Sequence, residues 1–402
     1  MSVKPPRHPA YDVIVVGARC AGAATALLLA RAGARVLAVD RSEYGTDTLS
    51  THALMRGGVL QLQRWGILAR VKAAKTPPVL RTSFHYGDEA LEIPIKSRDG
   101  VDALYSPRRT VLDRLLVDAA IEAGAEVAFH TRVAGLLRRD DGRVTGIVTG
   151  AGPAGSRITA SMVVGADGLH SGVAQLVDAG IYRRGRHASS VIYGYWADLA
   201  QDGNHWHFRP GTSIGVIPTN DGLTCVFASM PPRRFLDAVR PDISAGYLRI
   251  LAECSPSLAA ELGDARLTGT LHGFPGVTGF FRQSWGPGWA LVGDAAYFKD
   301  PLTAHGITDA LRDAEFLARA IGRGTNGALA DYQRVRDELV DGHFEVTDAI
   351  ASFEWDLASV RGLHHHLSDE MNKEVRAILA LDAQADGAPP SSPGPTPVAL
   401  AS

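Results

Sequence analysis

Two kinds of hydrophobic patterning alternate along this chain. Asp12 to Val16 is almost continuously apolar and β-branched, as a strand buried on both faces requires, and Gly17 ends it abruptly. Gly22 to Ala32 is rich in alanine and leucine, with Gly33 placed for a left-handed C-terminal cap, so a helix is predicted. "ARVLAVD" then predicts a second buried strand, and a right-handed crossover sets both strands in one parallel sheet. The buried-strand signature returns in "SMVVGADG" and again in "GWALVGDAA".

Between these runs the pattern changes to strict alternation. "TSFHYGDEALEIPI" predicts an antiparallel hairpin about Gly87-Asp88, and "EVAFHTRVAGLLRRDDGRVTGIVT" another about Asp141-Gly142. From about Ala188 to Met230 a strand-rich block turns at Asn220-Asp221-Gly222. Helical spacing appears in "RRTVLDRLLVDAAIEAGA" and from Gly306 to Gly322, with more helix to about Asp382. The predicted class is α/β. A Rossmann-like parallel-sheet domain covers 1–77, 98–180 and 270–330, and an inserted, mostly antiparallel sheet covers 78–97 and 181–269. C-terminal helices follow over 331–382. The Pro-, Gly- and Ser-rich segment 383–402 is predicted to be a disordered tail.

Bulk composition narrows the function. Forty-one basic against 43 acidic residues give a net charge of -2, which offers no field for nucleic acid or an anionic membrane. Small-molecule partners are expected. Cys20, Cys225 and Cys254 fit neither a zinc knuckle nor a disulfide framework, so a reducing, cytoplasmic setting is predicted. The apolar run from Val13 is too short for a signal core, and no membrane span is predicted.

The first turn carries candidate chemistry. In a dinucleotide fingerprint the first glycine makes the turn, the second lets backbone approach the pyrophosphate, and the third packs helix on strand. Gly17 and Gly22 fill the outer roles, with Cys20 and Ala21 between them, but Arg19 stands at the middle one. The helix N-terminus still offers free N–H groups and partial positive charge there. Asp40, followed by Arg41, ends the second strand where a ribose hydroxyl would be bound. Further along, Asp167-Gly168 and Gly293-Asp294 each follow a buried strand.

With these three motifs in order, the chain to about residue 322 resembles the FAD-dependent monooxygenases of the para-hydroxybenzoate hydroxylase type. It is related more loosely to geranylgeranyl reductases and flavin-dependent halogenases. The resemblance implies a glutathione-reductase-like FAD-binding domain, with the inserted sheet binding substrate. It puts Asp294 on the ribityl chain, Asp167 near the pyrophosphate, and Arg109 and Val133 against the cofactor. It also closes Pro301, Ala304, Gly306 and Ile307 over the flavin, with His305 in the same turn. On spacing alone, Asp294 could instead cap a helix and Arg109 could pair with Asp113 one turn along.

Departures from that family are informative. Ala174 replaces an arginine associated with nicotinamide handling, which bears on NAD(P)H, the reductant the resemblance implies. Tyr297 replaces the histidine usual after "GDAA", and Thr303 and Thr308 change the lining of the flavin turn. "SIGVIP" has Ser213 and Gly215 where halogenases resemble one another in carrying tryptophans, so halogenation is not expected.

The inserted sheet supplies clustered aromatics. Alternation puts Tyr193 and Tyr195 on one face, and Trp206 and Phe208 likewise, so these four are candidate substrate contacts or simply sheet core. His52, His305 and Tyr297 are the catalytic candidates. His207 should face away from Trp206, and His364-His365-His366 reads as a solvated helix face, so no metal is proposed. The resemblance implies hydroxylation of an aromatic or polyketide-like molecule with O2 through a flavin hydroperoxide. The rivals are a C=C reductase of the geranylgeranyl type and a non-catalytic flavoprotein.

Overall fold

The computed structural model describes residues 8, 10–150, 155–199 and 201–386. Its central sheet runs in the order Trp285–Gly286, Trp289–Leu291, Ser156–Gly165, Ala10–Val16, Val36–Val39, Glu126–Ala128. From Trp289–Leu291 to Glu126–Ala128 all neighbours are parallel, in register Val163↔Trp289, Val13↔Met162, Val13↔Val36 and Leu37↔Glu126. Val36–Val39, Trp289–Leu291 and the C-terminal halves of Ala10–Val16 and Ser156–Gly165 are apolar because they are covered on both faces. The hairpin Val133–Arg138/Val144–Thr149 joins it through the antiparallel pair Ser156↔Thr149. Helices Cys20–Arg31, Arg109–Glu122 and Gly306–Arg323 bury one face of the sheet.

The second, seven-stranded sheet runs Arg266–Phe274, Ser190–Ala197, Thr224–Met230, Thr212–Pro218, Asn204–Arg209, Arg81–Tyr86, Glu89–Pro94. It is antiparallel except where Asn204–Arg209 pairs in parallel with Arg81–Tyr86. A residue boundary at 269/270 falls inside the strand Arg266–Phe274. Ile181–Arg184 belongs instead to a small three-stranded sheet with Phe280–Arg282 and Tyr297–Phe298.

Alternation gives this sheet two faces of different character. Ile192, Trp196, Ile214 and Val226 pack under helices Ile243–Cys254 and Pro256–Asp264, which the strand pattern did not predict. Asp242 and Ser255 cap those helices, accepting from the N–H of Ala245 and Leu258. Tyr193, Tyr195, Trp206 and Phe208 form the other face, which meets the turn containing Leu302 and Ala304 and residues 346–367 of the C-terminal helices. Those helices are Asn326–Ala351 and Leu357–Asp386, so the last one runs past 383. The rest of the expected tail, 387–402, lies outside the described residues.

Candidate cofactor and active site

The glycine turn is built by close approach. Gly17 adopts φ +104°, and a Cβ on it would stand 2.4 Å from the Ala166 carbonyl oxygen. A Cβ on Gly22 would lie 1.8 Å from the Gly17 carbonyl oxygen, so the helix crosses the strand end at the minimum separation. Arg19 has φ -93° and ψ -167°, extended backbone open to any residue, so the missing glycine costs no strain. Its guanidinium reaches over to Thr46 Oγ1 at 3.5 Å and the Asp47 carbonyl at 3.3 Å. No side chain caps the helix Cys20–Arg31, leaving its first N–H groups available. Arg19→Gly is therefore expected to keep FAD bound with a few-fold loss of affinity, measured by flavin fluorescence titration. Complete loss would make the arginine essential.

A shallow cleft opens beside this turn, lined by Ala18, Arg19, Asp40, Ser42 and Thr46 among others. Asp40 shapes it by accepting from Ala18 N–H at 2.8 Å and Ser42 N–H at 2.7 Å, with acceptor capacity left on both oxygens. Arg41 is exposed beyond it, and Val133 starts its strand partly buried. Cys20 donates to Asp113 Oδ1 at 3.0 Å, and burial pushes its thiol well up.

Gly293 brings two distant motifs together. At φ +62° a Cβ on it would lie 2.9 Å from Ala21 Cβ, so the Gly293-Asp294 turn sits on the first turn of the N-terminal helix. Asp294 makes no hydrogen bond or ion pair among the described residues. Burial, helped by Asp309, pushes its carboxyl up to about 6 against the pull of Arg109 and Lys299. Arg109 itself pairs with Asp113, at 3.0 Å, as the spacing allowed. Asp167 is bonded within its own loop: Oδ1 accepts from Ser171 Oγ at 2.5 Å and Oδ2 from Val173 N–H at 3.1 Å. Its carboxylate organises the loop beside Gly17.

The turn Pro301–Thr303 is capped by Asp300, and Ala304 follows in the left-handed region at φ +52°. Gly306 is exposed with no atom within 4 Å of its Cβ position, and Ile307 is half-buried. The N-terminus of Gly306–Arg323 thus opens onto free space, where its partial positive charge suits an electron-rich ring edge. An uncapped helix start, a cradle that any Cβ would fill and an unpartnered carboxylate fit a bound dinucleotide.

The three catalytic candidates separate. Tyr297 is buried in a cluster with Phe281, Val340 and Phe344, and its hydroxyl has no partner, so it packs the small sheet and faces no cleft. His305 is buried behind the turn, its Nε2 2.7 Å from Glu374 Oε2. His52 lies at the junction of the two sheets, at φ +66°, with Nε2 hydrogen-bonded to Tyr195 Oη and Nδ1 buried without a partner. Burial pushes its imidazole down to about 3, so it is neutral. Ser50 N–H donates to Tyr193 Oη at 3.2 Å, completing the seam.

Several residues escaped the sequence pattern. Arg108 lays its guanidinium 3.9 Å from the Tyr195 ring centroid and donates to Asp47 Oδ2 at 2.6 Å. Its position beside Arg109 was the only signal. His364 is not on a solvated face: its Nδ1 meets Tyr86 Oη at 2.8 Å and its ring packs 4.4 Å from Phe208. His207 does turn from Trp206, stacking on His85 at 4.2 Å. His305, Asp309 and Glu374 offer a metal-like triad, but Lys299 and Arg312 already occupy those carboxylates, at 2.5 to 2.8 Å.

The neutral histidines have a consequence for pH. Burial holds His52 and His207 at about 3 and His364 at about 4, whereas the unfolded imidazole titrates near 6.5. Between those values the unfolded chain binds more protons, so stability is complete above about pH 6.5 and falls as pH drops. His52 alone accounts for about 2 kcal/mol between pH 6.5 and 5. Thermal melts should show Tm several degrees lower at pH 5 than at pH 7.5, and a flat profile would contradict the burial of these rings.

Residues 10–341 match the FAD binding domain family. The chain belongs to that family. This flavoprotein is 27% identical to the menaquinone reductase of Mycolicibacterium smegmatis, over 83% of the chain and 81% of the relative. It is 28% identical to digeranylgeranylglycerophospholipid reductase 2 of Methanopyrus kandleri, over 75% and 74% of the two chains. Squalene epoxidase ERG1 of Saccharomyces cerevisiae is 25% identical, over 83% and 74%. In fold the flavoprotein is similar to a variant of halogenase PltM in complex with FAD, with a TM-score of 0.79, 17% identity and 94% and 84% coverage. It is also similar to PqsL of Pseudomonas aeruginosa in complex with 2-aminobenzoylacetate, with a TM-score of 0.76, 22% identity and 89% and 100% coverage. FAD is its cofactor and oxidoreduction its chemistry. Among the described residues, no helix is long and apolar enough to cross a membrane.

Proposed function

We propose that the protein is an FAD-dependent monooxygenase that hydroxylates an aromatic or polyketide-like small molecule, with NAD(P)H as reductant and O2 as co-substrate. The observation that carries this reading is the seam between the sheets. Tyr193, Tyr195, Trp206 and Phe208 share one buried cluster with Leu302 and Ala304 of the turn assigned to the flavin. Such a face stacks on a planar substrate and excludes water from the reacting atoms.

Gly17 to Gly22, Asp40 and Asp294 would hold the dinucleotide, and the start of Gly306–Arg323 its ring system. FAD supplies the two-electron redox chemistry when bound. The chain positions and protects. His52, neutral and fixed to Tyr195, would orient a substrate hydroxyl or carbonyl through its free Nδ1, while Arg108 holds Tyr195 in place.

A second reading is a C=C reductase, favoured by the relatives named menaquinone reductase and digeranylgeranylglycerophospholipid reductase. One experiment separates them. Purified, FAD-loaded protein is mixed with NADH or NADPH and candidate phenols in an oxygen electrode cell, and in parallel with prenylated quinones under anaerobic conditions. Substrate-stimulated O2 uptake with hydroxylated product supports the monooxygenase. Anaerobic turnover of the quinone without O2 uptake overturns it.

A further inference from the structure

Behind the turn that faces the flavin lies a buried charge cluster. Lys299 Nζ is 2.5 Å from Asp309 Oδ2, and Arg312 reaches Asp309 Oδ1 at 2.8 Å, Asp313 Oδ1 at 2.6 Å and Glu374 Oε1 at 2.6 Å. Glu374 Oε2 meets His305 Nε2 at 2.7 Å. The side chains of Arg312, Asp313 and His305 are almost wholly buried, and that of Glu374 is only 3% exposed. Such a cluster is held together because each member's desolvation is offset by partners, so removing one leaves an uncompensated charge.

The cluster touches the flavin site from two directions. His305 is the N-cap residue of Gly306–Arg323, the helix whose first turn opens onto free space. Asp309, Lys299 and Asp313 all act electrostatically on Asp294. Glu374 is set apart by origin: it comes from Leu357–Asp386, beyond the matched residues 10–341, and its Oε2 lies against Gly57 of the helix Arg56–Arg64, 2.9 Å from where a Cβ there would stand.

We propose that Glu374, carried by the C-terminal helix, is a positioning residue for the flavin: through His305 and Arg312 it fixes the flavin-facing turn and sets the charge behind it. The inference rests on the FAD assignment of that turn. Against the cost of burial, His305, Arg312 and Lys299 keep the Glu374 carboxyl ionised. Its negative charge opposes the added electrons of reduced flavin.

The test uses the full chain loaded with FAD. Glu374→Gln removes one negative charge and should stabilise reduced flavin, shifting the dye-equilibrated reduction equilibrium toward reduced by about tenfold, as a unit charge about 10 Å away does at an effective dielectric of about 20. FAD affinity should fall severalfold as the turn loosens, and Glu374→Asp should restore part of both. The double variant Glu374→Gln/Lys299→Met restores the charge balance and should return the equilibrium to the wild-type value. Where the single variant does not fold, the double variant compared with Lys299→Met alone should show the same tenfold shift toward reduced, and no difference between those two overturns the proposal. Wild-type equilibrium and affinity in a folded Glu374→Gln overturn the proposal, as does a double variant shifted like the single. Wild-type protein that binds no FAD would instead overturn the FAD assignment of the turn.

Discussion

Replacing Asp294 by alanine is expected to weaken FAD binding about 10- to 150-fold, the worth of a charge-assisted hydrogen bond of about 1.5 to 3 kcal/mol. The carboxylate has no hydrogen-bond or ion-pair partner among the described residues, so its removal breaks no such bond within the protein. Fluorescence titration of the apoprotein measures the change. The same group predicts a pH dependence. Its carboxyl sits at about 6, and a bound hydroxyl donates more strongly to the ionised form, so wild-type affinity should fall as pH drops below about 6. Asp294→Ala should lose that dependence. Unchanged affinity in the variant would remove Asp294 from the site.

Gly17→Ala is expected to abolish FAD binding and to lower stability by about 3 kcal/mol or more, because two costs coincide. The residue would be held at φ +104°, a region costing about 1 to 3 kcal/mol for a non-glycine residue. Its Cβ would also stand 2.4 Å from the carbonyl oxygen of Ala166, which follows directly on the central strand Ser156–Gly165 and is tied to Val16 by its own N–H. Gly33→Ala is the control. It has φ +87° but no atom within 4 Å of its Cβ position, so it should destabilise by about 1 kcal/mol and retain FAD. Melts with and without FAD distinguish the pair, and equal behaviour would mean that close approach at Gly17 does not matter.

Much of this arrangement was legible along the chain because it is local. The buried strands, the helix that follows Gly17, the hairpin at Gly87-Asp88 and the shared faces of Tyr193 with Tyr195 all follow from periods of 2 and 3.6 residues. The helices Ile243–Cys254 and Pro256–Asp264 were missed because they sit inside a strand-rich block, where only their caps at Asp242 and Ser255 announce them. Tyr297 was misplaced for a different reason. Its distance from the Gly293-Asp294 turn is short in sequence, but the chain reverses and turns the ring into the cluster with Phe281 and Phe344.

By itself the sequence determined the parallel sheet, the glycine turn that needs no Cβ, and the presence of a carboxylate after each later strand, since each depends on a few consecutive residues. Only the tertiary structure decided which of those carboxylates is free. Asp167 is held within its own loop by Ser171 and Val173, while Asp294 has no hydrogen-bond or ion-pair partner among the described residues and rests beside Ala21. It also decided that Glu374, 69 residues after His305, closes the charge cluster behind the flavin turn. Whether a polar group is satisfied or available depends on what packs against it: the partners of Asp167 are four and six residues away, whereas the Glu374 partner of His305 is 69 residues away.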